Sequence, residues 1–141
     1  MRAFIIILQL LIAISLSSCS YFQYSYNKII YKEEYNFVKS IIANPENSDS
    51  ILLQSTYYDK FYFERYKKYF KMLKLLNVSE TTYISGIYKN KNYRPVYNND
   101  NEEMLSIEVN RSMKPGFQTI IFLFTKVKKQ LILIDILWVY M

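Results

Sequence analysis

From Tyr26 to Asn77 the apolar residues of this chain recur mainly with a helical period, and after Asn77 the period changes toward two. Helices first and strands after is an order that few folds accommodate. A period of 3.6 gathers apolar side chains on one face of a helix, and a period of two puts them on one face of a strand. From Tyr26 to Ala43, the residues Tyr26, Ile30, Phe37, Val38, Ile41 and Ile42 share one side of the helical wheel, with Lys32, Glu33, Asn36 and Lys39 opposite. Asn44-Pro45 closes this first helix, because the residue before a proline is pushed out of helical torsions. Ser48 or Asp49 can cap a short turn that carries Ile51, Leu52 and Leu53. A second helix is predicted from Asp59 to Leu76, with Tyr62, Tyr66, Tyr69, Phe70, Leu73 and Leu76 along one face.

The strands begin with Thr82 to Tyr88, in which Gly86 marks a bulge or bend. Residues 89–92 read as a turn into a short strand near residues 93–97. Leu105, Ile107 and Val109 alternate with Ser106, Glu108 and Asn110, which predicts one buried and one wet face. Pro115-Gly116 fits the centre of a type II turn, returning the chain as Phe117 to Thr125. Lys126 to Lys129 then turns it into Leu131 to Tyr140. The last two runs are apolar on both faces and are expected centrally, covered on one side by the helices. The fold class is therefore α+β: two N-terminal helices packed on an antiparallel meander of about four to five strands.

Ahead of this pattern stand Met1 and Arg2, an apolar stretch from Ala3 to Leu16 broken only by Gln9 and Ser15, then Ser17, Ser18 and Cys19. A positive end, an apolar middle and small residues at the end are the layout of a secretory signal peptide. The stretch is shorter than the roughly 20 apolar residues that span a bilayer. Leu16-Ser17-Ser18-Cys19 resembles the lipobox of bacterial lipoproteins. The resemblance implies that the thiol of Cys19 receives a diacylglyceryl group, that a peptidase cuts before it, and that the new amino terminus is acylated. Ser20, in place of an aspartate, points to the outer membrane facing the periplasm rather than to retention at the inner membrane. On this reading residues 1–18 are removed, 19–25 form a lipidated end and short tether, and 26–141 form one domain. Tyr21, Phe22, Tyr24 and Tyr26 then lie among lipid head groups or pack on the domain.

Composition narrows the chemistry. There is no histidine, and Cys19 is the only cysteine, so Ser-His-Asp and Cys-His catalysis and nearly all zinc sites are excluded. With Gly86 and Gly116 as the only glycines, neither a P-loop nor a G-x-G-x-x-G turn can be written. No metal and no cofactor is expected. Eighteen basic residues against 12 acidic ones give a net charge of +6 at pH 7. That excess suits anionic lipid or glycan; a nucleic-acid partner is not expected of an exported, tethered chain.

Three groups of residues are candidates for a site. Cys19 is the lipidation site. Asp135 interrupts an apolar run: strict alternation puts it on one strand face with Leu131, Leu133, Leu137 and Val139, and puts Trp138 and Tyr140 on the other with Ile132, Ile134 and Ile136. A carboxyl facing an apolar cavity would have a raised pKa and suit a general base; the alternative is a carboxylate satisfied by a cation, a tyrosine or solvent. Lys67, Lys68, Lys71 and Lys74 form a basic surface on the second helix, either a membrane-facing surface or a solvated one. The neighbouring carboxylates Glu33-Glu34 and Glu102-Glu103 point in different directions and define no acid/base pair.

Helices followed by a meander ending in Gln130 to Tyr140, with Asp135 inside, resembles the cone-shaped domains of the nuclear transport factor and cystatin-like type, although their middle helix is not evident here. The resemblance implies a fold and no function. The expected function is a membrane-anchored binding or accessory module for a protein partner, lipid or small apolar ligand. The alternative is a structural lipoprotein that touches anionic membrane or cell wall through its basic helix. An enzyme using Asp135 has the least support, since no catalytic set can be assembled.

Overall fold

The structure is a computed structural model that describes residues 2–74, 82–89, 91, 103–113 and 116–140. The chain divides into two compact units, residues 1–32 and 33–141. The first is the helix α1, Arg2–Ile30. Ile5, Ile6, Ile7, Ile12 and Ile14 are all at least half exposed on it. Successive residues are about 100° apart around a helix, so these side chains point in every direction. Among the described residues no helix is long and apolar enough to cross a membrane. Residues 19–25, expected as a tether, are helical. The helix expected over residues 26–43 is broken at Tyr31, whose N–H still donates to the carbonyl of Asn27 at 2.8 Å.

The second unit begins with α2, Lys32–Ala43, whose first turn carries Glu33 and Glu34 where the helix dipole favours negative charge. Phe37, Val38 and Ile41 are buried and Ile42 is half-buried, as the helical period predicts, whereas Tyr26 and Ile30 of the expected stripe fall on α1, beyond the break, and are exposed. Asn44 leaves helical torsions (φ −138°, ψ 67°) and the buried Pro45 opens a 3₁₀ turn, Pro45–Asn47. The short helix α3, Ser48–Leu53, follows. Asp59 then caps α4, Lys60–Lys74, by accepting the N–H of Phe61 at 2.8 Å. Tyr66, Phe70 and Leu73 are the buried stripe of α4. Burial of side chains this size contributes roughly 1.5–3 kcal/mol each.

The sheet is an antiparallel meander in the order β1-β2-β3-β4, with β1 Thr82–Lys89, β2 Met104–Met113, β3 Gly116–Val127 and β4 Gln130–Tyr140. The α+β class and the order of helices before strands are thus observed. The strand expected near residues 93–97, Pro115 of the expected turn and the last two residues of the expected second helix lie outside the described residues. Residues paired across antiparallel strands share a face. One face therefore carries Leu105, Ile107 and Val109 opposite Phe124, Phe122 and Ile120, and all six are buried. The ring of Phe124 meets Phe37 at 6.2 Å and Tyr57 at 5.5 Å, both edge-on, so α2 and the loop before α4 cover this face.

Two expectations about the sheet are corrected. The second face of β2 is not wet: Ser106 is buried, and Glu108 and Asn110 are half-buried. The cause lies across the ladder, where this face of β3 holds Ile121 and Leu123, which cluster with Ile134 and with Tyr62, Met104 and Leu137. β3 is central as expected, but β4 is an outer strand. It tolerates apolar residues on both faces because α4 lies beside it and because the N–H of Leu133 donates to the carbonyl of Tyr57 at 2.9 Å.

Candidate functional site

Asp135 lies where β4 departs from regular pairing. Leu123 pairs with Asp135 and Phe124 with Leu133, so Ile134 is an extra residue, a β-bulge. The bulge ends the strict alternation expected for this strand. Leu133 and Trp138 pair with first-face residues of β3, whereas Asp135, Leu137 and Val139 pair with second-face residues. Asp135 and Trp138 are therefore on opposite faces, and the side chain of Tyr140 lies outside the described residues. Asp135 is buried, and its Oδ1 accepts the N–H of Ile136 at 2.8 Å. Its carboxylate serves the backbone at the bulge. Trp138 has a different setting: its indole N–H is buried without a hydrogen-bond partner among the described residues, as is Oε1 of Gln118. Gln118 is on the same face, two pairs further along the ladder.

Periodicity concealed a second polar couple. The carboxyl of Glu34 on α2 and the phenol of Tyr57, whose ring packs on Phe124 of the first face, influence each other's ionisation. Burial raises the pKa of Glu34 and the neighbouring Glu33 adds to the rise, while the phenol of Tyr57 opposes it. Burial, then the charges of Glu34 and Glu33, push the Tyr57 phenol well above its ordinary range. The distance in sequence between the two hides the couple; only the helix-over-loop packing brings them together.

The basic residues of α4 are divided by the structure. Lys67, Lys71 and Lys74 recur at i, i+4 and i+7 and line one cavity of about 150 Å³, together with Asp49 of α3 and the rings of Phe63 and Phe70. Lys68 is not among its lining residues; its ammonium sits 4.5 Å from the centre of the Tyr69 ring. Asp49 and Lys74 are paired at 2.9 Å, and that hydrogen bond holds the Asp49 carboxyl below its ordinary pKa. Lys67 pairs with the solvent-exposed Glu64 at 3.3 Å, and its ammonium lies 5.9 Å from the centre of the Phe63 ring. Lys71 forms no ion pair with a described residue. The cavity thus has an aromatic floor and a rim of net positive charge.

Cys19 is an exposed free thiol on α1. Among the described residues no group of three or more His, Cys, Asp or Glu side chains could hold a metal ion. Compared with known proteins, the chain matches no family model, and no curated protein or solved structure is significantly similar to it.

Proposed function

We propose that this chain is an exported bacterial lipoprotein, cut in front of Cys19 and held by lipid on that residue at the outer membrane facing the periplasm. There it acts as a binding or accessory module for a protein partner, lipid or small apolar ligand. The observation that carries this reading is the lone cysteine of the chain standing directly after Leu16-Ser17-Ser18 at the end of an apolar run. Support also comes from α1, whose isoleucines are exposed all round. A helical stretch apolar on every side, as residues 3–16 are but for Gln9 and Ser15, belongs in a protein core or a membrane rather than in water. Two or three acyl chains at ~0.8 kcal/mol per buried methylene make the attachment effectively permanent.

Intact-mass measurement of the protein from bacterial membranes tests the anchor. Loss of residues 1–18 together with the added mass of a diacylglyceryl group on Cys19 is expected, and Cys19→Ser should abolish both changes. An uncut chain without added lipid would overturn the reading.

A further inference from the structure

We propose that the cavity between α3 and α4 binds the headgroup of an anionic phospholipid. Lys67 and Lys71 would hold the phosphate, and Phe63 and Phe70 would take the first apolar carbons. Charge and shape both select this class of ligand. Three ammonium groups against one carboxylate favour an anion, and that carboxylate, Asp49, is already engaged by Lys74. The two remaining lysines lie a helical turn apart on the rim, and among the described residues neither has a buried carboxylate as partner. A plain inorganic anion would leave the aromatic floor unused. A neutral apolar ligand would leave the lysines unused. An amphiphile whose charge sits beside its first methylenes uses both, as do other juxtamembrane clusters of lysine.

The source of the ligand rests on the anchor reading, while the site itself does not. The second unit begins 14 residues after Cys19, so a lipid on that cysteine would keep it within about 50 Å of the bilayer even with the connection fully extended. Headgroups are then present at high effective concentration, and a site of modest intrinsic affinity is filled.

The site is tested in the full-length Cys19→Ser chain, kept soluble in a nonionic detergent, by following the ring-proton signals of Phe63 and Phe70. Dihexanoyl phosphatidylglycerol should shift them saturably, and dihexanoyl phosphatidylcholine should bind at least tenfold more weakly. Lys67→Gln with Lys71→Gln should weaken binding of the anionic lipid about thirtyfold. Lys128→Gln with Lys129→Gln, an equal loss of charge on an exposed turn, should leave it within twofold. Equal binding of the two lipids, equal loss in both double variants, or equally tight binding of inorganic phosphate would each overturn the proposal. Because the test chain carries no lipid, failure here leaves the anchor to be judged by the mass measurement alone.

Discussion

β1 and β4 are the two outer strands of one sheet, and the same hazard is met differently on each. An outer strand presents backbone groups that invite pairing with another chain. β1 is eight residues long, with Tyr83 and Lys89 exposed, and its pairing with β2 skips Ser85. β4 is buried from Ile132 to Ile136, lies beside α4, gives the Leu133 N–H to Tyr57, and carries an extra residue at Ile134. Each bulge has a polar side chain at work. The Ser85 hydroxyl donates to the Glu108 carbonyl at 3.3 Å, and the Asp135 carboxylate accepts the Ile136 N–H at 2.8 Å. The difference between them is water. A half-exposed edge can leave an irregular backbone group to solvent, whereas a covered edge must supply an internal partner, even a charged one.

The sharpest way to break this contrast is to remove the two side chains in turn. Asp135→Ala leaves a buried N–H without its acceptor and should cost about 2 kcal/mol, whereas Ser85→Ala should cost below ~0.5 kcal/mol. Asp135→Asn retains an acceptor oxygen and should recover at least half of the larger loss. Urea midpoints of the three variants measure this. Equal losses for Asp135→Ala and Ser85→Ala would show that burial does not distinguish the two edges.

The β1 edge depends instead on space. A Cβ on Gly86 would lie 2.6 Å from Cζ and Oη of Tyr88, whose ring folds back over the glycine. Gly86→Ala should therefore destabilise by about 1 kcal/mol, because the half-buried Tyr88 ring must turn aside. In a Tyr88→Ala background the same change should be nearly neutral, because the obstructing ring is gone. A double-mutant cycle without coupling between the two positions would remove the steric explanation.

These two edges also show what could be read from the chain beforehand. Gly86 announced its irregularity because a glycine inside a β-rich run is costly unless space or torsion demands it. Asp135 stood out equally well, but its role was hidden: a bulge is a two-against-one count that needs the partner strand, here Leu123 and Phe124. The same gap explains the misplacement of β4. Apolar residues on both faces signal burial, which is observed, but they do not say whether neighbouring strands or a helix supply the cover. The buried stripe of α4 was legible from its period, as was the spacing of Lys67, Lys71 and Lys74. Asp49, which closes that site from 25 residues away, was not.

The turn that leads into β4 offers a further test. Val127 pairs with Gln130, so Lys128 and Lys129 form a two-residue hairpin loop, and both have positive φ, 49° and 73°. That matches a type I′ turn, for which asparagine and glycine are preferred. Lys128→Asn with Lys129→Gly should raise stability by about 1 kcal/mol by relieving the left-handed torsions. The gain should appear in the wild-type and Gly86→Ala chains alike, since the turn lies off the β1 edge. Calorimetric unfolding of the four chains checks both points.

The smallest effect concerns a link between the cover of β4 and an ionisable group. Tyr57 accepts the Leu133 N–H of β4 at its carbonyl, and its phenol acts on the ionisation of Glu34 on α2. Burial raises the pKa of Glu34, so the folded chain holds this proton more tightly than the unfolded chain. The unfolded chain therefore binds fewer protons through this window, and stability must fall as pH rises from the ordinary glutamate value through the folded one. Glu34→Gln, which cannot ionise, should remove that slope and be more stable than the parent at about pH 7, with the two chains converging near pH 4. Hydrogen exchange localises the effect: after correction for intrinsic rates, the Leu133 amide should lose protection with rising pH in the parent but not in Glu34→Gln. Amides of β1 should show no difference between the two chains. A change shared by both edges would mean that Glu34 acts on the whole fold rather than through Tyr57 on β4.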